Sequence, residues 1–595
     1  MWICLLDIES DEADVIPLQY LGVSDMDLRK LSLDDQMKYA MTNIRDQEGG
    51  YVVRHGSKAI SEFGHGREGY SDPNFNPLAA AFPILFPYGI GGIEERRKRT
   101  VGFTEHVRWA LQYHDRRFRT HHSFPFVCFG IEQKREAMIS ARVQMHRRDF
   151  ERDALAIGTL TMADLKQAEK EEAAHVPISN PRVKLLRNHV FATAGRVKGS
   201  DRARALYRGQ IWGTCLKLGG PSLWITINPS DIHDPVVQIL AGEEIDMDNF
   251  MEKLGPDSNR RAENVARDPY ATSKYFFFII NAVLRTLFGI TVTNHQVHTT
   301  MGLLGRIASY FGIVEAQGRG SLHVHMLIWL EDTPNCNDMH EFLQSDVFRS
   351  RVREYIRENI RAHVDGLDED TMKNMGRESQ LAYSRPPNPD AENWEIQHLD
   401  RLRRVVRSQQ VHTCSKASCL RYNKYGRLVC KRRAPWELSD TEVIDTGGRW
   451  KACRRVPFIN NFCPPISVTL CCNNDIKLIT NGADTKDAMW YSTMYQSKKQ
   501  CKNHNVSALM AQSFLYHETH KNTSDTVIEQ NRLLIFRCQN TINREMEMSG
   551  PQVIAYLMGW GDRICSHRYV SLYWSSVQAR LLSLFEGLRK NKKKK

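Results

Sequence analysis

Residues Leu322 to Leu330 read LHVHMLIWL, with histidines on alternate positions, His323 and His325, ahead of a nearly unbroken apolar run. Side chains of an extended strand alternate between faces, so both imidazoles lie on one face and Val324 on the other. The preceding YFGIVEA, Tyr310 to Ala316, has the composition of a second strand, and the glycine-rich Gly318 to Ser321 supplies a turn. Together they predict an antiparallel hairpin. Upstream, Pro221 to Asp231 alternates, with Leu223, Ile225 and Ile227 on one face and Trp224, Thr226 and Asn228 opposite, which predicts another strand. Arg204 to Gly220 predicts a helix ending at its glycine pair, and Tyr275 to Phe288 predicts a buried one. Strand, helix, strand, strand with hairpin geometry favours an α+β sandwich over a doubly wound sheet.

Outside this unit the pattern is more helical. Helical spacing begins near Thr104, Asp164 to Glu172 is polar and helix-prone, and Ala79 to Gly92 reads as a packed irregular segment punctuated by Pro83 and Pro87. After the hairpin, Asp338 to Gln397 turns helical and polar and then loop-like. PISVTLCC, Pro465 to Cys472, predicts a strand, and Thr485 to Gln500 predicts a helix free of proline and glycine. The expected organisation is an accessory region over 1–187, the first part of a sheet-based core over 188–400, a Cys/His-rich segment over 401–470, and a C-terminal part with a basic tail over 471–595. The most apolar run, Tyr275 to Leu284, is too short to cross a bilayer and is followed by Arg285, so no membrane partner is expected. No basic region precedes the first apolar residues, which argues against a secretory signal.

Charge adds a partner class. Lys and Arg number 81 against 69 Asp and Glu, a formal charge of +12. Such a balance favours an anionic partner. Basic runs occur at Glu94 to Thr100, His114 to His122, Arg401 to Arg407 and Lys431 to Arg433, and the tail Arg589 to Lys595 suits a nuclear localisation signal. The 14 cysteines do not make a disulfide scaffold. Half of them, Cys414, Cys419, Cys430, Cys453, Cys463, Cys471 and Cys472, crowd into one short stretch.

Three constellations carry chemistry. The His323/His325 pair suits either two structural imidazoles or a metal; Glu315 or Gln317 on the neighbouring strand would complete an open site for Mn, Mg or Zn. His412, Cys414, Cys419 and Cys430 have ligand types for structural zinc, with Cys453 and Cys463 as substitutes and buried thiols as the plainer alternative. In MWYSTMYQSKKQ, Tyr491 and Tyr495 fall one helical turn apart, followed by Lys498. They suit a packed aromatic stripe or, beside lysines, a pair of phenols able to attack a phosphodiester. No G-x-x-x-x-G-K-[ST] occurs, so an ATPase phosphate loop is not expected.

The segments FPILFPYGIGG, LWITINPSDIHDP, YFGIVEAQGRGSLHVHMLIWLED, CCNNDIKLITNG and VIAYLMGWGDRICSHRY resemble, in the family's order, the replication-initiator (Rep) region of Helitron rolling-circle transposons. The resemblance runs from about Phe82 to the end of the sequence. It implies an antiparallel-sheet nuclease of the His-hydrophobic-His (HUH) class that cuts single-stranded DNA at transposon ends with a tyrosine. It also implies that His323 and His325 are ligands of a divalent metal, Mg or Mn, with Gln317 as the third ligand and Glu315 in reserve. Tyr491 and Tyr495 match the paired nucleophiles and Lys498 the lysine that follows them. Two departures stand out: Met494 replaces the family's basic residue before the second tyrosine, and the helicase motifs that follow in full-length transposases do not appear. The expectation is therefore a nuclear nuclease and strand transferase working with a helicase from another polypeptide. The alternative is a truncated, decayed transposon copy that only binds DNA.

Overall fold

The computed structural model describes residues 76–585 other than 94, 96, 146–149, 248–254, 294–295, 318–319, 335, 379–385, 417–418, 481–504, 523 and 571–573. After a short helical turn at Pro77–Ala81, the helices α1 (Phe103–Leu111), α2 (Phe124–Met145), α3 (Phe150–Ile157), α4 (Met162–Ala173), α5 (Pro181–Ala194), α6 (Asp201–Ala205) and α7 (Tyr207–Leu218) lead into the sheet. Their starts are written locally. Thr161 and Asp164 form a reciprocal capping box on α4, and Asn180 caps α5 with Pro181 in the first turn. The expected helix over Arg204 to Gly220 is two helices, because the chain breaks at Leu206; the second ends at Gly219, whose φ of 81° a Cβ would disfavour.

The sheet contains β1 (Leu223–Asn228), β2 (Gly305–Ala316), β3 (Leu322–Leu330), β4 (Asn473–Leu478) and β5 (Arg563–Cys565), ordered β4-β1-β3-β2-β5, with the short Met301–Gly302 segment also pairing with β2. Every neighbouring pair is antiparallel. The architecture is thus an antiparallel sheet with flanking helices, a mixed α+β arrangement.

Alternation sorts the two faces. Leu223, Ile225 and Ile227 of β1, Val324, Met326 and Ile328 of β3, and Ile476 of β4 pack with Phe276, Phe277 and Ile280 of α8 (Pro269–Ala282). On the reverse face Trp224, Phe311, Ile313, Leu327 and Trp329 pack with Ile211 of α7. Burial of both faces explains why β3 reads as a near-continuous apolar run. Helix α8 starts before the expected Tyr275 because Asp268 caps it and Pro269 opens it; it continues as a wider turn over Val283–Leu287.

A second core joins distant parts of the chain. Ala141, Ile157, Leu165, Val183 and Val190 of the N-terminal helices pack with Met510 from Val506–His520 and with Leu534 and Ile535 from Val527–Arg544. Here α9 is Pro464–Leu470, α10 Val506–His520, α11 Val527–Arg544 and α12 Gly550–Leu557. Helix α9 corrects the expected strand over Pro465 to Cys472. A short, largely buried apolar run reads alike for strand and helix. Prolines at its first turn fix helical φ, and Cys471 at φ 45° ends it before β4 begins at Asn473.

Candidate metal centre and a second ligand cluster

On the α7 face of the sheet the register sets Glu315 opposite His323 and Ile313 opposite His325, while Thr226 of β1 faces His325 from the other side. The Nε2 atoms of the two histidines are 3.1 Å apart, and Oε2 of Glu315 is 4.0 Å from Nε2 of His323. One ligand atom from each of Glu315, His323 and His325 lies within 4.8 Å of the others. Two imidazole nitrogens sharing one ion sit about 3 Å apart, since metal–nitrogen bonds are ~2 Å. The donor set of two nitrogens and a carboxylate oxygen fits a divalent cation of hard to borderline character.

Surrounding groups hold this arrangement. Thr226 Oγ1 lies 2.8 Å from Nδ1 of His325, which fixes the ring and leaves Nε2 aimed at the cluster; Trp224 Nε1 in turn donates to Thr226 Oγ1. Burial, aided by the nearby His323 and Lys477, pushes His325 down to about 3, so its imidazole is neutral across the physiological range. Arg204, only 1% exposed, donates to Glu315 Oε1 at 3.3 Å and pairs with Asp562 at 3.2 Å. Tyr207 donates to the same Asp562 carboxylate at 2.5 Å. Glu315 therefore turns one oxygen to a buried guanidinium and the other to His323.

Gln317 follows Glu315 on the same face, at the exposed rim. Its backbone closes the turn, N–H to Ser321 O and O from Gly320 N–H, and its side-chain amide donates to Asn228 Oδ1 at 2.7 Å. Where the resemblance ranks Gln317 ahead of Glu315, the structure gathers Glu315 with the histidines. Sequence reasoning gave no role to Thr226, Arg204 or Asp562. Alternation placed Thr226 on the histidine side, whereas nothing local joins Arg204 to Asp562. Tyr491, Tyr495 and Lys498 lie outside the described residues.

The second cluster contains the four residues singled out by spacing. Nε2 of His412 is 3.2 Å from Cys430 Sγ and 3.4 Å from the sulfurs of both Cys414 and Cys419. The short hairpin Leu420–Tyr422/Leu428–Cys430 pairs Leu420 with Cys430, which brings Cys419 and Cys430 to its root. Three thiols and one imidazole at these separations fit tetrahedral zinc. Cys453 and Cys463, the named substitutes, are elsewhere: Cys453 donates to Asp440 O, and Cys463 is in the sheet core.

Residues 106–328 match the family model described as the Helitron helicase-like domain at N-terminus. The Helitron match ends inside β3, so it includes Glu315, His323 and His325 and stops short of the Cys/His cluster. No curated protein matches the chain. The Helitron match and the metal-ligand cluster inside it support a nuclease-like domain. Among the described residues no helix is long and apolar enough to cross a membrane.

Proposed function

We propose that the protein is a metal-dependent endonuclease and strand transferase for single-stranded DNA, of the HUH type used in rolling-circle transposition. The observation that supports this most is the convergence of Glu315, His323 and His325 on one sheet face within the Helitron-like match. These three residues would hold Mg or Mn, which when bound polarises a scissile phosphodiester. The neutral His325, steadied by Thr226, keeps its Nε2 lone pair for that purpose. Tyr491 or Tyr495 supplies the nucleophile: its oxygen bonds to phosphorus, the bond to the 3′ oxygen breaks, and that oxygen leaves protonated as a 3′-OH. The 5′ phosphate stays on the tyrosine, and the second tyrosine serves the later rejoining.

The test is transfer of label from a single-stranded oligonucleotide to protein in the presence of Mg or Mn. Label on the 3′ side of the nick should become covalently attached, and label on the 5′ side should not. Replacing both Tyr491 and Tyr495 by Phe should abolish the adduct while DNA binding persists. An adduct on the double Phe variant would assign the nucleophile elsewhere. Tight binding by the wild type with no adduct under either metal would instead mark a DNA-binding protein without turnover.

A further inference from the structure

The segment from His412 to Trp436 contains Lys416, Arg421, Lys424, Arg427, Lys431, Arg432 and Arg433 and no aspartate or glutamate. Its hairpin, Leu420–Tyr422/Leu428–Cys430, carries two tyrosines, Tyr422 and Tyr425, each 74% exposed. Aromatic rings that far into water contribute little to any core, and they are surrounded by cations.

The hairpin is built to hold these rings in place. At its root the Cys/His cluster joins Cys419 to Cys430, and Lys431 N–H donates to Cys419 O at 2.7 Å. At its tip Asn423 Oδ1 accepts from the N–H groups of Tyr425 and Arg427 at 2.9 and 3.0 Å, and Gly426 takes a φ of 71° that closes the turn. The Lys424 ammonium lies 4.9 Å from the centre of the Tyr425 ring. The module is fastened to the sheet that carries the histidine pair. His412 N–H donates to Phe458 O, Asn460 N–H to Gln410 O, and Asn473 Nδ2 at the start of β4 to Gln409 O.

We propose that this hairpin is a stacking platform for single-stranded nucleic acid, with Tyr422 and Tyr425 taking unpaired bases and Arg421, Lys424 and Arg427 meeting the phosphates. Every base offers a π face, so rings flanked by cations bind single strands with little sequence preference. A duplex hides its base faces and cannot use the rings. The platform deepens the single-strand reading proposed above and rests on it for the choice of DNA.

The test is equilibrium binding of a fluorescent mixed-sequence single strand, and of a blunt duplex of equal length, to full-length protein carrying His323→Ala. That replacement removes a proposed metal ligand, so binding is read apart from the chemistry of the proposed nuclease; failure of adduct formation by wild type would touch only that reading. Tyr422→Ala and Tyr425→Ala should each weaken single-strand binding by about 5- to 100-fold at both low and high salt, leaving duplex binding within about twofold. Replacing Arg421 and Arg427 by Ala should instead flatten the salt dependence. Zinc content reports whether each variant keeps the module folded. Should alanine variants lose zinc, the double Phe and double Leu replacements decide: Phe keeps the π faces and should bind as wild type, while Leu should not. Wild-type single-strand affinity in the zinc-loaded Ala or Leu variants, or equal losses on single strand and duplex, would overturn the platform.

Discussion

At the scale of single residues, the third ligand is the sharpest question. Glu315 Oε2 faces His323 directly, whereas Gln317 spends its amide on Asn228 at the rim. Glu315→Gln should therefore reduce metal-dependent nicking by at least about a hundredfold, and Gln317→Ala by less than about tenfold, in cleavage titrations against Mn. The reverse order would make Gln317 the third ligand. A separate residue sets acid sensitivity. His517, 4% exposed between α10 and α11, has Nδ1 2.8 Å from Arg537, and burial with that cation lowers it to about 4. The unfolded chain takes up this proton first, near pH 6.5, so the neutral imidazole contributes stability that is complete above that pH and is lost as the pH falls toward 4. His517→Gln should remove on the order of 2 kcal/mol of the stability change between pH 7 and 5, read from urea midpoints of variant and wild type.

At the scale of elements, β2 is pinned on both sides where it passes between β3 and β5. A Cβ on Gly312 would lie 3.0 Å from Val324 Cγ2 and 3.3 Å from both Met326 Cε and Ile564 O. Gly312→Val should cost about 1–3 kcal/mol and lower the melting temperature, with His323 and His325 displaced along with β3. The Cys/His module answers to its ligands instead. Purified protein should contain about one tightly held zinc, and Cys419→Ser or Cys430→Ser should lose it. Loss of zinc should melt the hairpin, seen as rapid proteolysis near Tyr422, while the far-ultraviolet spectrum of the helical core is kept. Full zinc retention in both serine variants would remove these thiols from the site.

At the scale of the whole molecule, the sheet and the helical core are each assembled from remote parts of the chain. Strands β4 and β5 flank a centre made by β1, β2 and β3, and α10 and α11 complete the core begun by α2 to α5. Residues 106–328, the extent of the Helitron-like match, leave out both edge strands and both of those helices. That fragment should fail to give a cooperative thermal transition, and a transition matching the full chain would show that the remainder is dispensable. The buried Arg204 bridges these distant pieces by joining α6, Glu315 of β2 and Asp562 beside β5. Arg204→Met strands two carboxylates in a buried place, so it should destabilise by about 3–5 kcal/mol in denaturant titration.

Much of the site is legible in the sequence because the information is local. Period-two alternation puts Thr226, His323 and His325 on named faces, and the glycine turn folds Glu315 and Gln317 back toward the histidines. The ligand spacing of His412, Cys414, Cys419 and Cys430 likewise lies within one short stretch that a hairpin can close. The PISVTLCC run misleads because so short a stretch, buried at most of its positions, carries too little period to separate helix from strand. Three-residue β5 is too short to carry a pattern, and its partner on β2 is about 250 residues away in sequence. The side chains of Glu315 and Gln317 are held by the guanidinium of Arg204 and by Asn228, both brought in from other elements. Sequence by itself determined which side chains could share a face; tertiary packing decided which of them met, since long-range neighbours leave no trace in local periodicity.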